Sequence, residues 1–308
     1  MRFLAASGSL FLLLAACVGD AATPSSSSSS GGAANDAAPG VDADAPKDGG
    51  TTQDATADAG PLPIAPPLVG PKVWLDARKV PAATPATKTW KDESGNGNDA
   101  TGGVALSVEP AMINGRPAMY LPGEQAQALQ VAAAAFDFNV SPGFVVAIVA
   151  KTKMPAAART AQAVLFDRTK TTGVFPGVLR YGSAMYLDSA LTKNTAFAYT
   201  TLSSSQVTTT AELTTDVFAP HVYVYRIANA KIDTWVDGKN NMGAATVAAN
   251  DFSTANSAPL ALFGYVTTDN AQFTYNGHVG EVLVYNRTVS DAEVTTLTTK
   301  LRGEWGIP

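Results

Sequence analysis

Between residues 73 and 285 one pattern recurs: a short run rich in β-branched and aromatic residues, then a turn signal, then another run. The runs are residues 73–76, 117–121, 128–131, 144–152, 164–167, 178–186, 197–201, 221–228, 231–236, 260–266 and 278–285. Such residues fit a pleated, half-buried surface, and the turn residues set where each strand stops. No helical period intervenes, so the consistent solution is an all-β sandwich of two antiparallel sheets. In Val222-Tyr223-Val224-Tyr225 the valines take one face and the tyrosines the other. Asp237-Gly238, directly after Thr234-Trp235-Val236, is a tight hairpin signal.

A single helix is expected at the end. Ser290 with Glu293 three residues later spells a capping box. Val294, Leu297 and Leu301 then follow helical spacing, which gives one apolar stripe. Lys300 and Arg302 stand where the helix dipole favours cations. That stripe is expected to pack across the sheet.

The N-terminal segments have a different character. Residues 1–16 carry one cation, Arg2, then an apolar run ending in Phe11-Leu12-Leu13-Leu14, then small residues. This is the layout of a secretory signal peptide, too short to span a bilayer. Leu14-Ala15-Ala16-Cys17 resembles the bacterial lipobox, in which the chain is cut before the cysteine and the thiol is acylated. The resemblance implies a lipoprotein anchored through Cys17, the only cysteine of the chain. Val18 in place of Asp points, by the enterobacterial sorting rule, to the outer membrane. Residues 17–70 follow with six consecutive serines and seven prolines, and without an aromatic residue. Such a stretch cannot bury enough apolar surface to offset the entropy of ordering, and it reads as a disordered tether.

Charge separates the tether from the domain. Residues 18–70 hold seven Asp and one Lys, whereas residues 71–308 hold 19 acidic and 19 basic groups. The domain, residues 71–308, is therefore neutral and has no basic field to attract nucleic acid. One cysteine and two histidines exclude a disulfide framework, a multi-cysteine zinc site and most histidine-rich metal centres.

Several blocks carry a family resemblance. They are Val73-Trp74-Leu75-Asp76-Ala77, the stretch from Trp90 to Ala100, Asn114-Gly115-Arg116-Pro117-Ala118-Met119, and Gly280-Glu281-Val282-Leu283-Val284-Tyr285-Asn286-Arg287. Ser290, Glu293, Leu301 and Trp305-Gly306-Ile307 close the series. In order and spacing they resemble the LamG-like jelly-roll domain of secreted bacterial proteins, in the concanavalin A-like lectin/glucanase superfamily. The resemblance implies a jelly-roll sandwich with a C-terminal helix, and an extracellular glycan or a surface protein as partner. It also implies that Glu281 belongs to the fold signature as a buried, hydrogen-bonded group.

The superfamily includes glycoside hydrolases, and retaining hydrolysis needs two carboxyl groups about 5–5.5 Å apart. The seven glutamates lie more than ten residues from one another, so no Glu-x-Asp-x-Glu strand occurs. Asp233 and Asp237 flank Trp235 on a hairpin, but Asp237 is a turn residue. No Gly-x-Ser-x-Gly elbow is present. The expected function is non-catalytic recognition of a glycan or another extracellular polymer. A structural or adhesive lipoprotein with a protein partner, and a hydrolase of unrecognised type, are the alternatives.

Two sets of residues could carry recognition. Tyr181, Tyr186, Tyr223, Tyr225 and Trp235 could offer rings on which sugars stack, or fill the core instead. The densest oxygen cluster runs from Asp92 to Asp99, with Asp92, Asn96, Asn98 and Asp99 as the side chains able to face a cation. Calcium takes six to eight oxygens, and it is common among LamG-like domains. Gly280, where relatives carry a further acid, departs from that pattern. The other reading of this loop is a glycine-assisted turn capped by its own Asp side chains.

Overall fold

A computed structural model describes residues 64–81, 85–124, 127–132, 143–153, 163–172, 179–188, 193–199, 206–212, 216–228, 231–240, 245–246, 259–265 and 274–308. The chain divides into two units, Met1–Gly60 and Pro61–Pro308, and the described residues all belong to the second. In chain order its strands are β1 (Val73–Asp76), β2 (Thr87–Trp90), β3 (Ala100–Ile113), β4 (Arg116–Pro122), β5 (Leu129–Val131), β6 (Gly143–Thr152), β7 (Ala163–Thr172) and β8 (Leu179–Leu187). They continue with β9 (Lys193–Tyr199), β10 (Gln206–Glu212), β11 (Pro220–Ala228), β12 (Lys231–Val236), β13 (Lys239–Asn240), β14 (Ala245–Thr246), β15 (Leu260–Leu262) and β16 (Asn276–Tyr285). One helix, α1 (Asp291–Trp305), follows.

Every strand pairing is antiparallel, as short turns between strands require. One sheet has the order β12-β11-β6-β16, with β4 and β1 both pairing β16. The other runs β10-β9-β8-β7-β15-β5 and reaches β3. The long strand β3 belongs to both sheets, pairing β4 in the first and β5 in the second. The result is the expected all-β sandwich with one C-terminal helix.

Two apolar layers hold it together. Between the sheets lie Val146, Ile148, Tyr223, Tyr225, Val282 and Val284 from the first, facing Leu165, Phe166, Met185 and Leu262 from the second. The outer face of the first sheet, hereafter the helix-side sheet, buries Val145, Ala147, Val149, Val222, Val224 and Leu283 under α1. The helix contributes Val294, Leu297, Leu301 and Trp305, the stripe read from the sequence. The central strands β6, β11 and β16 are therefore buried on both faces, which explains their near-continuous apolar sequences.

Local chemistry ends α1 and turns the β12–β13 hairpin where the sequence says it should. The Ser290 hydroxyl accepts from Glu293 N, and the Glu293 carboxylate accepts from Ser290 N at 2.9 Å. Gly306 closes α1 in the left-handed region at φ +63°, letting Ile307 N donate to Arg302 O at 2.8 Å. Asp237 and Gly238, at φ +53° and +81°, make the expected hairpin turn between β12 and β13.

The packed unit begins before residue 71. Pro67 is buried, Leu68 packs on the layer under α1, Lys300 Nζ donates to Pro67 O at 3.0 Å, and Tyr285 Oη donates to Leu68 O at 3.2 Å. A side chain of this size and two hydrogen bonds together contribute about 2 kcal/mol. A chain starting at Gly70 should therefore melt roughly 4–8 °C below one starting at Pro61. Equal melting temperatures in a thermal scan of the two would show that these contacts contribute nothing.

Candidate functional site

Three of the five expected sugar-stacking aromatics are interior. Tyr223 and Tyr225 are 1% and 0% exposed and point between the sheets, where Phe166 meets Tyr225 edge-on at 5.0 Å. Burial pushes the Tyr223 phenol well above its ordinary pKa. Trp235 faces the other way and is also buried, with the Arg226 guanidinium 4.7 Å over its ring. The reason is α1: it covers the valine face of β11, so neither half of the alternation meets solvent. A buried ring offers no face to a sugar, and the placement of Tyr223, Tyr225 and Trp235 corrects the sequence reading. Tyr186, opposite Val164 in β8, is half-buried. Tyr181 is on the same strand, and its side chain lies outside the described residues.

The loop from Asp92 to Asp99 is built around one carboxylate. Asp92 Oδ1 accepts from Trp74 N at 2.9 Å and Ser94 N at 3.0 Å. Its Oδ2 accepts from Ser94 Oγ at 2.7 Å and Asn98 N at 2.9 Å. Asp99 Oδ1 accepts from Asp92 N at 2.9 Å. Asn96 and Asn98 turn their amides to the carbonyls of Pro71 and Lys72, at 2.9 and 2.8 Å. Gly95 and Gly97 supply the left-handed turns, at φ +84° and +71°.

This set does not fit calcium. A carboxylate has about four acceptor positions, and those of Asp92 face four N–H and O–H groups. A cation there would have to displace donors that hold β1 to the loop. Among the described residues no three His, Cys, Asp or Glu side chains converge as a metal site. Chelator is therefore expected to leave the melting temperature unchanged. Asp92→Ala should lower it by several degrees, since a half-exposed carboxylate with these bonds contributes about 2 kcal/mol. A fall on adding EDTA, absent in the variant, would instead assign the loop to a cation.

Other acids on the helix-side sheet have protein partners. Asp233 takes Arg226 at 2.6 Å, and Arg226 also reaches Asp291 at 2.6 Å and Val289 O at 3.0 Å, tying the start of α1 to β11. Asp237 Oδ1 accepts from Val222 N at 2.8 Å, and its Oδ2 is 2.6 Å from His221 Nδ1. His221 Nε2 is 2.7 Å from Asp216 O. Both ring nitrogens thus face acceptors, an arrangement that only the imidazolium satisfies. Burial opposes that charge, but the bonds to Asp237 and Asp216 outweigh it and raise the His221 pKa.

Glu281 lies at the centre of a buried clasp. Its Oε1 accepts from Trp74 Nε1 at 2.7 Å, and its Oε2 from Trp305 Nε1 at 2.8 Å and Arg78 Nη2 at 3.0 Å. Arg78 is bidentate to Asp76 through Nε and Nη2, reaches Glu304 at 3.0 Å, and lies 4.7 Å over the Trp305 ring. β1, β16 and the end of α1 meet here around one guanidinium. Burial, and then the Asp76 charge, push Glu281 up to about 7. Gly280 is small because a Cβ there would stand 2.5 Å from the Trp305 indole, which explains the missing acid. The buried, hydrogen-bonded role implied for Glu281 is the one it has.

A group that the sequence did not single out lies at one end of the helix-side sheet: Glu109, Tyr120, Lys151, Lys153 and His278. No local signal joins them, because they come from β3, β4, β16 and the end of β6 and meet only through the register of the sheet. Cys17 and the tether lie outside the described residues. No described helix is long and apolar enough to cross a membrane.

No family model matches the chain, and no curated protein matches its sequence. Solved structures do match in fold. The binding domain of Paraclostridial Mosquitocidal Protein 1 superposes with a TM-score of 0.55 at 10% identity, covering 75% of this chain and 52% of that one. The Botulinum Neurotoxin serotype G binding domain gives 0.51 at 11% identity, covering 75% and 51%. Trypanosoma rangeli sialidase in complex with sialic acid gives 0.51 at 15% identity, covering 75% and 33%. The chain thus spans about half of each toxin domain and a third of the sialidase. At these identities the likeness is one of fold: a β-sandwich shared with the binding domains of two toxins and with part of a sialidase.

Proposed function

We propose that residues 61–308 form a non-catalytic domain that binds a glycan, held at the bacterial cell envelope through acylated Cys17 and the segment that follows it. The observation that carries the reading is the sandwich itself. Two of its structural neighbours are toxin binding domains, and a third was solved with sialic acid. Two acid pairs, Asp76 with Glu281 and Asp233 with Asp237, are engaged by basic side chains, which supports a recognition role over hydrolysis. Asp76 and Glu281 face each other across β1 and β16 but share Arg78 at 0% and 1% exposure, out of reach of a polymer. Asp233 and Asp237 hold Arg226 and His221. Tyr186 and Tyr181 of β8 are the expected stacking residues that remain.

A glycan array probed with residues 61–308 tests the proposal. Selective binding is expected, and Tyr186→Ala should weaken it about tenfold, the cost of losing one good aromatic contact. An array without a selective signal, on protein shown to be folded, would overturn the reading.

A further inference from the structure

Helix α1 covers the outer face of the helix-side sheet only in part. Beyond Gly280 the sheet carries a polar row. Ser107 of β3 is opposite Tyr120 of β4, Tyr120 opposite His278 of β16, and His278 opposite Lys151 of β6. Cross-strand partners share a face. Ala118 and Val149, two residues along from Tyr120 and Lys151, belong to the layer under α1, so the row continues that face. The Tyr120 and His278 rings are 5.3 Å apart, and Lys153 Nζ is 4.3 Å from the Tyr120 ring centre. His278 Nε2 is 2.8 Å from Glu109 Oε2, while Lys151 Nζ reaches only the carbonyl of Met112, at 3.5 Å.

Donors exceed acceptors in this row. The row holds two lysines and a histidine but one carboxylate, Glu109, and His278 is bonded to it. Among the described residues neither Lys151 nor Lys153 pairs with an acid, and no hydrogen bond engages the Tyr120 hydroxyl. Lys153 is exposed and Tyr120, Lys151 and Glu109 are half-buried, so the row meets solvent while four strands fix its backbone. Two ammonium groups and a phenol can hold a carboxylate. Glu109 Oε1 can accept from neighbouring hydroxyls. A ring bearing both groups is an acidic sugar.

The geometry points to this row as a subsite for the carboxylate of an acidic polysaccharide of the hexuronic acid type. The ligand class rests on the glycan-binding reading above; the site does not coincide with Tyr186. The test is calorimetric titration of residues 61–308 with oligogalacturonate. Binding is expected at low salt and should weaken several-fold near 0.5 M salt, where charges are screened. Lys153→Ala alters an exposed side chain and should weaken binding about threefold, with the melting curve unchanged. The Lys151→Ala, Lys153→Ala double variant should lose about tenfold, and Tyr120→Phe less. Neutral glycans retained from the array should bind all variants equally. No binding of oligogalacturonate, or equal binding by wild type and double variant, overturns the subsite. If neutral glycans still bind, the broader reading stands. Full competition by inorganic phosphate or by phosphatidylglycerol vesicles would overturn the assignment to a sugar.

Discussion

Replacing Arg78 by alanine should lower the melting temperature of residues 61–308 by roughly 10 °C or more. Among the described residues the guanidinium is the one cation bonded to Asp76 and Glu281, both of which are buried. Breaking a buried ion pair by removing one partner costs about 3–5 kcal/mol, because the charge left behind is uncompensated. In a domain of this size each kcal/mol is worth about 2–4 °C. Arg78 also lies over Trp305 and reaches Glu304, so the end of α1 loosens with it. Arg78→Lys restores a charge but not the bidentate fork to Asp76, and should recover part of the loss. Acid should also recover part of it in the alanine variant, since protonating Glu281 removes the uncompensated charge. A melting temperature within about 2 °C of wild type would show that the clasp is not what joins β1, β16 and α1.

The wild-type domain should lose stability as pH rises from about 5 to 8. Glu281 is raised from its ordinary value to about 7, so the folded state holds a proton that the unfolded state has released. A raised pKa contributes stability below the unfolded value that is lost as pH rises through the folded one. His221 acts in the same sense, because its imidazolium bonds both Asp237 and Asp216 and its pKa is raised. Below about pH 4.5 the sense reverses: Glu293, lowered chiefly by the Ser290 N–H, loses its capping role once protonated. Thermal scans across pH should thus peak on the acid side of neutral and fall by several degrees towards pH 8. Glu281→Gln should flatten that fall, since the titrating group is gone. A melting temperature that rises steadily from pH 5 to 8 would contradict this assignment.

The sequence shows the strands that are apolar and bounded by turn residues, together with the whole of α1. It conceals β3, because Gly102-Gly103 and Pro110 interrupt its alternation; the strand is held by pairing in two sheets, not by its own propensity. Asn114-Gly115, at φ +47° and +80°, is the hairpin signal that would have revealed the β3–β4 pair. The alternation in β11 is legible, but which face is wet is not. That depends on α1, seventy residues later, lying over the valines. The Asp92–Asp99 cluster is legible as a concentration of oxygens. Whether they face a cation or N–H groups depends on Trp74, which is distant in sequence. The row from Ser107 to Lys151 depends wholly on strand register, and period-two patterns within single strands carry no trace of it.

On the proposed function the domain binds a glycan and leaves it intact. The most direct measurement mixes residues 61–308 with the best array ligand at saturating concentration and follows the ligand for a day by mass spectrometry and reducing-end assay. A stable complex is expected, from which the ligand is recovered unchanged, with the same amount bound at the end as at the start. Accumulation of shorter products or new reducing ends, abolished by substituting one carboxylate, would contradict it and make the domain a hydrolase.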